Sequence, residues 1–224
     1  MDILLVLLGY LIGSVPSAAI AARWLKGVDL RSTGSGTVSG TGVYYHVARW
    51  AVLPVGLFDI AKGAAPTWLG LQLGWGLPTA LAAGLAAIIG HNWPVWLGFK
   101  GGRGLATFMG ILLVVFPWGF PWLLGGLAAG RLAGATAIGA LFSLASLPLL
   151  TWALGQPSAT SWACLGMLAL TLTKRVEANR LPLPSDPIER RHVLLRRLLL
   201  DRDVAPRKDW IYRTSAGGRE QTDD

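Results

Sequence analysis

Residues 63–99, with the sequence GAAPTWLGLQLGWGLPTALAAGLAAIIGHNWPVWLGF, contain no Asp, Glu, Lys or Arg. A helix needs about 20 mostly apolar residues to cross a bilayer core of roughly 30 Å. This stretch therefore includes the second part of one predicted span and the whole of the next, joined around Leu71–Gly76. The pattern continues outward, because Arg131 is the only charged residue between Arg103 and Lys174. These uncharged intervals predict an all-α, polytopic membrane helix bundle.

Apolar segments account for most of the chain. Hydrophobic residues make up 53% of its 224 positions and charged residues only 14%, which is unusual for a soluble domain. The first apolar run has no basic segment before it, and we interpret it as a retained span and not as a cleaved signal peptide. About seven spans are expected, at roughly 3–22, 50–72, 77–98, 105–117, 119–130, 133–154 and 158–173. The fourth and fifth are short, which leaves a bent or re-entrant hairpin open as an alternative.

Basic residues fall on alternate connections between these segments. Short cytoplasmic connections carry an excess of Lys and Arg. The connections around 71–76, 117–121 and 155–158 hold no Lys or Arg, whereas the opposite ones contain, among others, Arg31 and Arg131. This partition predicts an N-terminus outside and a C-terminus in the cytoplasm, and it favours seven spans over six.

The C-terminal tail concentrates the positive charge. The net charge is +8, and eleven of the twenty Lys and Arg residues lie in the last fifty positions. A basic segment next to the last span is typical of a surface that faces anionic membrane lipid, and we do not expect nucleic acid as a partner. We divide the chain into a membrane domain at 1–180 and a basic tail at 181–224. Within the tail, 188–202 is expected to form a basic amphipathic helix, with Arg190, Arg191, Arg196 and Arg197 opposite Ile188, Leu195, Leu198 and Leu199.

Two glycine-rich, basic loops are predicted on the same side of the membrane. The first runs from Asp29 to Gly42 (DLRSTGSGTVSGTG), and the second is Phe99–Gly104 (FKGGRG), followed by an apolar helix. Glycine lets backbone N–H groups approach an anion closely, and a helix N-terminus adds partial positive charge. Each loop alone is compatible with a simple cytoplasmic turn. Together they indicate a site for an anionic, phosphorylated substrate.

Several polar side chains lie within the apolar segments. Asp59 and Lys62 are three residues apart, so they share one helix face and can form an ion pair that is either structural or catalytic. His91 can act as a general acid or base, or hydrogen-bond a neighbouring helix. Ser14 and Ser17 flank a proline, whose freed carbonyl groups such hydroxyls often satisfy.

Metal and cofactor chemistry are not expected. The chain has three histidines and one cysteine, and no carboxylates are paired at metal-ligand spacing. It also contains neither a phosphate-binding Walker loop nor a dinucleotide-binding fingerprint. We therefore predict neither a metal nor a cofactor.

Five ordered motifs carry a resemblance to a known family. They start at Gly13, Asp29, Phe58, Gly90 and Phe99, and read GSVPSA, DLR with GSG at 34–36, FDIAKG, GHNWPV and FKGGRGLAT. In order and spacing the chain resembles the bacterial acyl-phosphate:glycerol-3-phosphate acyltransferases over roughly 5–110. The seven-span plan is similar up to about 175.

This resemblance implies a multi-pass enzyme of the bacterial inner membrane that makes lysophosphatidic acid for phospholipid biosynthesis. The acyl donor would be an acyl phosphate and the acceptor the 1-hydroxyl of glycerol 3-phosphate. Carried over to this sequence, the expected catalytic residues are Ser35, Arg103 and His91. The expected substrate-binding residues are Gly34, Gly36, Thr37, Arg49, Lys100, Gly101, Gly102 and Lys174.

The sequence departs from the family pattern at several of these positions. The family's asparagine after the Gly-Ser-Gly triplet is Thr37 here, a second asparagine and an arginine of that motif are missing, and only Arg49 is available as a substitute. Arg103 replaces the usual lysine, and Lys174 and Glu177 stand where the family has a histidine and an asparagine. Two alternatives therefore remain: a non-catalytic or altered-acceptor paralogue that binds phospholipid precursors, and a small anion transporter.

Overall fold

The computed structural model describes residues 2–33, 36–204 and 209–210. Within this part, regular secondary structure is helical, as predicted. Two short 3₁₀ helices, Val95–Leu97 and Ala178–Arg180, follow the fifth and ninth α-helices. The α-helices are α1 (Asp2–Ser14), α2 (Ser17–Lys26), α3 (Gly40–His46), α4 (Val52–Gln72), α5 (Gly76–Asn92), α6 (Leu105–Val115), α7 (Gly119–Leu132), α8 (Thr136–Ala153), α9 (Ser158–Glu177) and α10 (Pro187–Leu200).

Each predicted apolar segment coincides with helical structure. Three helical segments of the described part are both long and apolar enough to cross a bilayer, namely Asp2–Lys26, Gly76–Leu97 and Thr136–Ala153. Helix α6 has 11 residues, which gives a length of about 16 Å and falls short of a full crossing. The number of spans and the orientation of the termini remain predictions.

A proline breaks the first apolar segment into two helices. Helix α1 ends at Ser14 and α2 begins at Ser17, with Pro16 between them. The Ser14 hydroxyl donates to the carbonyl of Tyr10 at 2.8 Å, as expected for a hydroxyl beside a proline. Ser17 instead donates to Asp59 at 2.6 Å, so the break turns one hydroxyl toward another helix.

Glycines let neighbouring helices cross closely. A methyl group on Gly13 of α1 would overlap the backbone of Ala87 in α5, and one on Gly63 of α4 would overlap the backbone carbonyl of Thr107 in α6. Small residues allow such backbone approach where apolar burial provides little driving force between helices. The glycines therefore set the spacing of α1, α4, α5 and α6.

The apolar core lies among α5, α6, α8 and α9. Phe108 and Leu112 of α6 pack with Leu144 of α8 and Met167 of α9, and all four are buried. This core holds the start of α6, where the second glycine-rich loop ends, in a fixed position relative to α9.

Helix α10 of the tail packs on α8 and α9. It is helical at Pro187–Leu200, in agreement with the predicted amphipathic segment. The expectation that Arg197 lies on a lipid-facing surface is wrong, because this side chain is only 2% exposed. Its guanidinium donates to the carbonyls of Val176, Leu181 and Pro182 and pairs with Asp203. Backbone carbonyls left free where α9 ends supply these acceptors, and they draw the arginine inward.

Candidate active site

The two glycine-rich loops meet at the end of α9, where Asn179 joins them. Its side-chain amide donates to the carbonyl of Gly36 at 2.9 Å and to the carbonyl of Gly101 at 3.1 Å. The N–H of Val38 reaches the same Gly101 carbonyl at 3.4 Å. Asn179 is 4% exposed, so these bonds form away from solvent and hold the loops together.

A left-handed turn after α9 aims the Asn179 side chain at the loops. Ala178, Asn179 and Arg180 have φ angles of 45°, 54° and 62°. Asparagine adopts this conformation more readily than most residues. The turn ends the helix and brings the amide between the two loops, a role that no pattern in the sequence indicated.

The second loop packs directly on His91 at the end of α5. The N–H of Gly102 donates to the His91 carbonyl at 3.1 Å. A methyl group on Gly102 would overlap His91 Nε2, and one on Gly101 would overlap the carbonyl of His91. The glycines are required here because backbone and imidazole lie in direct contact.

Asn92 follows this histidine and is fully buried. Both polar atoms of its side chain lack a hydrogen-bond partner within the described residues. Its Oδ1 faces Gly104, the residue with φ 72° that precedes α6. A buried amide without partners normally marks a place for water or a ligand.

An ionic cluster lies behind the loop, between the α1–α2 break, α4 and α5. Asp59 and Lys62 form an ion pair of 2.6 Å, with their side chains 5% and 3% exposed. Lys62 Nζ also contacts the Val15 carbonyl at 2.9 Å and His91 Nδ1 at 3.2 Å. The carboxylate of Asp59 in turn accepts the bond from Ser17. The predicted pair thus has three further polar contacts that help to balance its burial.

These contacts determine the tautomer of His91. A lysine ammonium has three protons and no lone pair, and Lys62 directs its protons at Asp59 Oδ1, the Val15 carbonyl and His91 Nδ1. Nδ1 therefore accepts, and in the neutral ring the proton is on Nε2. That N–H is the side of the imidazole that lies against the second loop.

A small pocket lies where the loop, the ionic cluster and the helix break come together. Its cavity volume is about 10 Å³, which is room for about one water molecule. The lining residues come from the break between α1 and α2, from both glycine-rich regions and from the cluster: Gly13, Ser14, Val15, Pro16, Ser17, Ala18, Val38, Lys62, His91, Pro94, Leu97 and Gly101. Polar groups from distant parts of the sequence thus converge on one concave site.

A second charged cluster lies at the other end of the loop. Arg103 donates from Nε to Asp201 at 2.7 Å and from Nη1 to the carbonyl of Lys174 at 3.2 Å. Lys174 is buried, its ammonium pairs with Glu177 at 2.8 Å and lies 4.8 Å from the centre of the Trp93 ring. No local pattern in the sequence indicates Asp201 as a partner of Arg103, because the two residues are 98 positions apart.

The structure brings some predicted site residues together and leaves others apart. Gly36, Gly101, Gly102, His91, Arg103 and Lys174 surround the loop junction, and Thr37 is buried beside Gly36. Arg49 is exposed, and its guanidinium stacks 5.6 Å from the centre of the Tyr44 ring. Lys100 is also exposed. Gly34 and Ser35 lie outside the described residues.

The first loop carries an exposed ion pair of its own. Arg31 and Asp29 are bonded at 2.6 Å, with side chains 41% and 50% exposed. The hydrogen bond from Arg31 holds the pKa of the Asp29 carboxyl below its usual value. This pair tightens the turn that enters the loop.

Comparison with known proteins gives consistent matches along the chain. The family model described as glycerol-3-phosphate acyltransferase matches residues 3–181. Glycerol-3-phosphate acyltransferase 5 of Dehalococcoides mccartyi (strain ATCC BAA-2266 / KCTC 15142 / 195) is 34% identical over 224 residues, which cover 97% of this chain and 96% of the relative. A glycerol-3-phosphate acyltransferase of Synechococcus sp. (strain CC9902) is 40% identical over 164 residues, and this match covers 70% of the present chain and 80% of the relative.

Solved structures show the same fold. The glycerol 3-phosphate form of PlsY (YgiH), an integral membrane glycerol 3-phosphate acyltransferase, superposes with a TM-score of 0.72 at 30% identity. The match covers 79% of this chain and 88% of that one. The lysophosphatidic acid form of the same protein gives a TM-score of 0.71 at 28% identity. The all-helical membrane fold predicted from the sequence is thereby confirmed.

Proposed function

Because the chain belongs to the glycerol-3-phosphate acyltransferase family, we propose that it transfers the acyl group of an acyl phosphate to the 1-hydroxyl of glycerol 3-phosphate. It is a membrane acyltransferase that uses glycerol 3-phosphate as acceptor and gives lysophosphatidic acid. The acyl-phosphate donor and the residues that act on it are the parts that we propose.

The bond from Asn179 to both loops is the observation that supports this function most. It joins Gly36, next to Ser35 in the chain, to Gly101, two residues before Arg103. The Arg103 guanidinium is suited to phosphate, and so are backbone N–H groups of the glycine loops other than those of Gly36 and Gly102, which are bonded within the protein. The junction can therefore bind two anionic substrates close together, which is what transfer between them requires.

The reaction needs positioning more than a strong base. The hydroxyl oxygen of glycerol 3-phosphate attacks the acyl carbonyl carbon, a new ester C–O bond forms, and the C–O bond to the phosphate breaks. Inorganic phosphate leaves with the electron pair, and the proton of the hydroxyl is transferred to it. Because the donor is already activated, charge neutralisation and alignment account for much of the rate in this proposal.

His91 is better suited to donate a hydrogen bond than to accept the proton. Its Nδ1 is occupied by Lys62, so the neutral ring presents Nε2–H to the loop. In our proposal that N–H stabilises charge on a phosphate or carbonyl oxygen. Ser35, Gly34, Gly36, Thr37, Gly101 and Gly102 bind substrate, together with the charges of Arg103 and Lys174.

We propose that Arg49 and Lys100 attract the substrate and do not bind it in the pocket. Both are exposed, which fits first contact with a charged substrate at the rim better than contact in the pocket. Long-range attraction by exposed cations raises the rate of encounter with anions.

We also retain the sequence-based topology as part of the proposal. It comprises a multi-pass protein of the bacterial inner membrane with seven spans, the N-terminus outside and both loops on the cytoplasmic side. The basic tail at 181–224 then lies near anionic lipid, and the membrane supplies the acyl donor to the 1–180 domain without a cofactor.

The direct test uses the purified full-length protein in lipid nanodiscs. Acyl phosphate and glycerol 3-phosphate are supplied, and lysophosphatidic acid and inorganic phosphate are quantified together. We expect equimolar products, and we expect Ser35→Ala and Arg103→Ala each to lower kcat/KM at least about a hundredfold. Arg131→Ala is the matched control, since it removes an exposed cation at the end of α7.

Three results would contradict the proposal. Phosphate release that does not depend on glycerol 3-phosphate would indicate another acceptor. Binding without turnover would indicate a non-catalytic paralogue, and equal losses in Arg131→Ala and Arg103→Ala would show that Arg103 has no special role.

A further inference from the structure

Arg103 is bound by a residue of the tail that the family model does not cover. The match to that model ends at residue 181, whereas Asp201 follows α10. Its carboxylate accepts from Arg103 Nε at 2.7 Å, and the two side chains are 26% and 11% exposed. A segment outside the matched region therefore reaches the cation to which we assign phosphate binding.

Two acceptors hold the guanidinium from different directions. The Asp201 carboxylate accepts a hydrogen bond from Nε, and the Lys174 carbonyl accepts one from Nη1. A guanidinium has five N–H groups, and no hydrogen bond from Nη2 is found within the described residues. The two bonds orient the group, and they leave the N–H groups of Nη2 able to donate to a phosphate oxygen.

The surrounding charges explain why a carboxylate is needed at this position. Lys174 and Arg175 are buried cations on α9, and the carbonyl of Lys174 is a direct partner of Arg103. Glu177 offsets the charge of Lys174. Without Asp201, the guanidinium would face these cations with no negative partner, and a poorly compensated charge tends to leave such a place for water.

The tail is anchored strongly enough to keep Asp201 in place. Arg197 is buried and makes the contacts with three carbonyls and with Asp203 described above. Arg175 of α9 donates to the carbonyl of Leu198 in α10 at 2.8 Å. Asp201 itself ends α10 with φ 54°, and its N–H bonds to the Arg197 carbonyl. This anchoring is typical of a permanent part of the site and not of a removable plug.

We infer that Asp201 is a positioning residue for the acyltransferase, which acts through Arg103 by holding its guanidinium toward the substrate phosphate. The inference rests on the proposed function, because it takes Arg103 as the phosphate ligand. It makes the segment that follows α10 a working part of the active site, in addition to the lipid-facing surface that the sequence predicts for the tail.

The test compares Asp201→Asn with Glu189→Gln in the full-length protein. Asparagine keeps the size and an acceptor oxygen but removes the charge, and Glu189→Gln makes the same change of charge at an exposed position of α10. We expect Asp201→Asn to lower kcat/KM for glycerol 3-phosphate about tenfold and Glu189→Gln to leave it unchanged. The unfolding temperatures of both variants should match the wild type.

A double-mutant cycle with Arg103→Lys tests the route of the effect. Lysine cannot bind Asp201, the Lys174 carbonyl and phosphate in the same forked geometry. In the Arg103→Lys background we therefore expect Asp201→Asn to change kcat/KM less than about twofold. Such a loss of effect would show that the two residues act together. Glycerol 3-phosphate binding, measured calorimetrically without donor, should weaken in Asp201→Asn alone.

Each other outcome overturns the inference. Unchanged activity in Asp201→Asn means that the carboxylate does not orient Arg103, and increased activity means that it competes with phosphate. An equal loss in the Arg103→Lys background means that Asp201 acts elsewhere. If the wild type binds glycerol 3-phosphate but does not turn over, the proposed function fails while the binding comparison still decides the role of Asp201.

Discussion

The two charged clusters of this protein are built in different ways. The inner cluster, around Asp59 and Lys62, starts from an i,i+3 pair on one helix and is almost completely buried. The outer cluster, around Arg103, draws partners from 71 and 98 residues further along the chain and is more exposed.

The two clusters contribute to the site in different ways. The inner one is closed, since every proton of the Lys62 ammonium has an acceptor within the protein, and its contact with Nδ1 orients the His91 ring. The outer one keeps donor capacity for a ligand. We therefore propose that the inner cluster supports the pocket and that the outer cluster binds substrate.

The largest effect is expected from breaking the inner pair. Lys62→Met leaves the Asp59 carboxylate buried without its cation, and the free energy of unfolding should fall by about 3–5 kcal/mol. Chemical unfolding in detergent, followed by tryptophan fluorescence, measures the loss.

The double variant Asp59→Leu/Lys62→Met is the control for this experiment. Replacing both charges by apolar side chains removes the desolvation cost of each, so it should be markedly more stable than Lys62→Met. If the single variant is as stable as the wild type, the inner cluster is not closed as described.

A smaller effect is expected where the inner cluster meets the loop. Gly102→Ala places a methyl group on His91 Nε2, and the resulting shift should lower kcat/KM at least about tenfold. Gly125→Ala in α7 is the matched control, because nothing lies within 4 Å of its added methyl. Equal activity in the two variants would show that contact between His91 and the loop does not matter for turnover.

The loop junction should be sensitive to the chemistry of one amide. Asn179→Asp keeps the shape but turns a carboxylate toward the carbonyls of Gly36 and Gly101, which should cost about 1–3 kcal/mol and lower the affinity for glycerol 3-phosphate. Unfolding and calorimetric binding measure the two effects.

Ala178→Gly serves as the control for the junction. Ala178 shares the left-handed backbone of the turn, with φ 45°, and glycine adopts this conformation without strain. We expect wild-type affinity. A loss of affinity as large as in Asn179→Asp would assign the effect to the backbone turn and not to the amide.

The smallest effect is expected at the exposed pair of the first loop. Asp29→Asn should lower the free energy of unfolding at pH 7 by at most about 0.5 kcal/mol, because both partners are half exposed and screened by water. The pKa of Asp29 is lowered in the folded protein, so its contribution is present above the unfolded pKa of about 3.9 and is lost as the pH falls through the lower folded value.

Thermal unfolding at pH 7 and in acid tests the direction of this pH dependence of stability. The difference between wild type and Asp29→Asn should be small at pH 7 and absent in acid. A difference that grows in acid would contradict the depressed pKa of Asp29.

Local patterns predicted the fold and part of the site. Runs of apolar residues marked the helices, and the i,i+3 spacing of Asp59 and Lys62 predicted their ion pair. The glycines of the second loop were expected to let the backbone approach an anion, and in the structure they also let it lie against His91. The role of Ser17 was predicted only in part. A hydroxyl beside a proline was expected to bond its own helix, but Ser17 donates a hydrogen bond to the buried carboxylate of Asp59.

Which segments are apolar helices, where the chain turns on glycine and which charges share a helix face all follow from the amino-acid sequence alone. These properties depend on residues within one or two helical turns of each other. The packing of the folded chain is needed to see that Asn179 joins the two loops, that Arg197 is buried and that Asp201 contacts Arg103. Those partners are up to 143 residues apart, and their contacts depend on how α9 ends and where α10 packs, which no local spacing records.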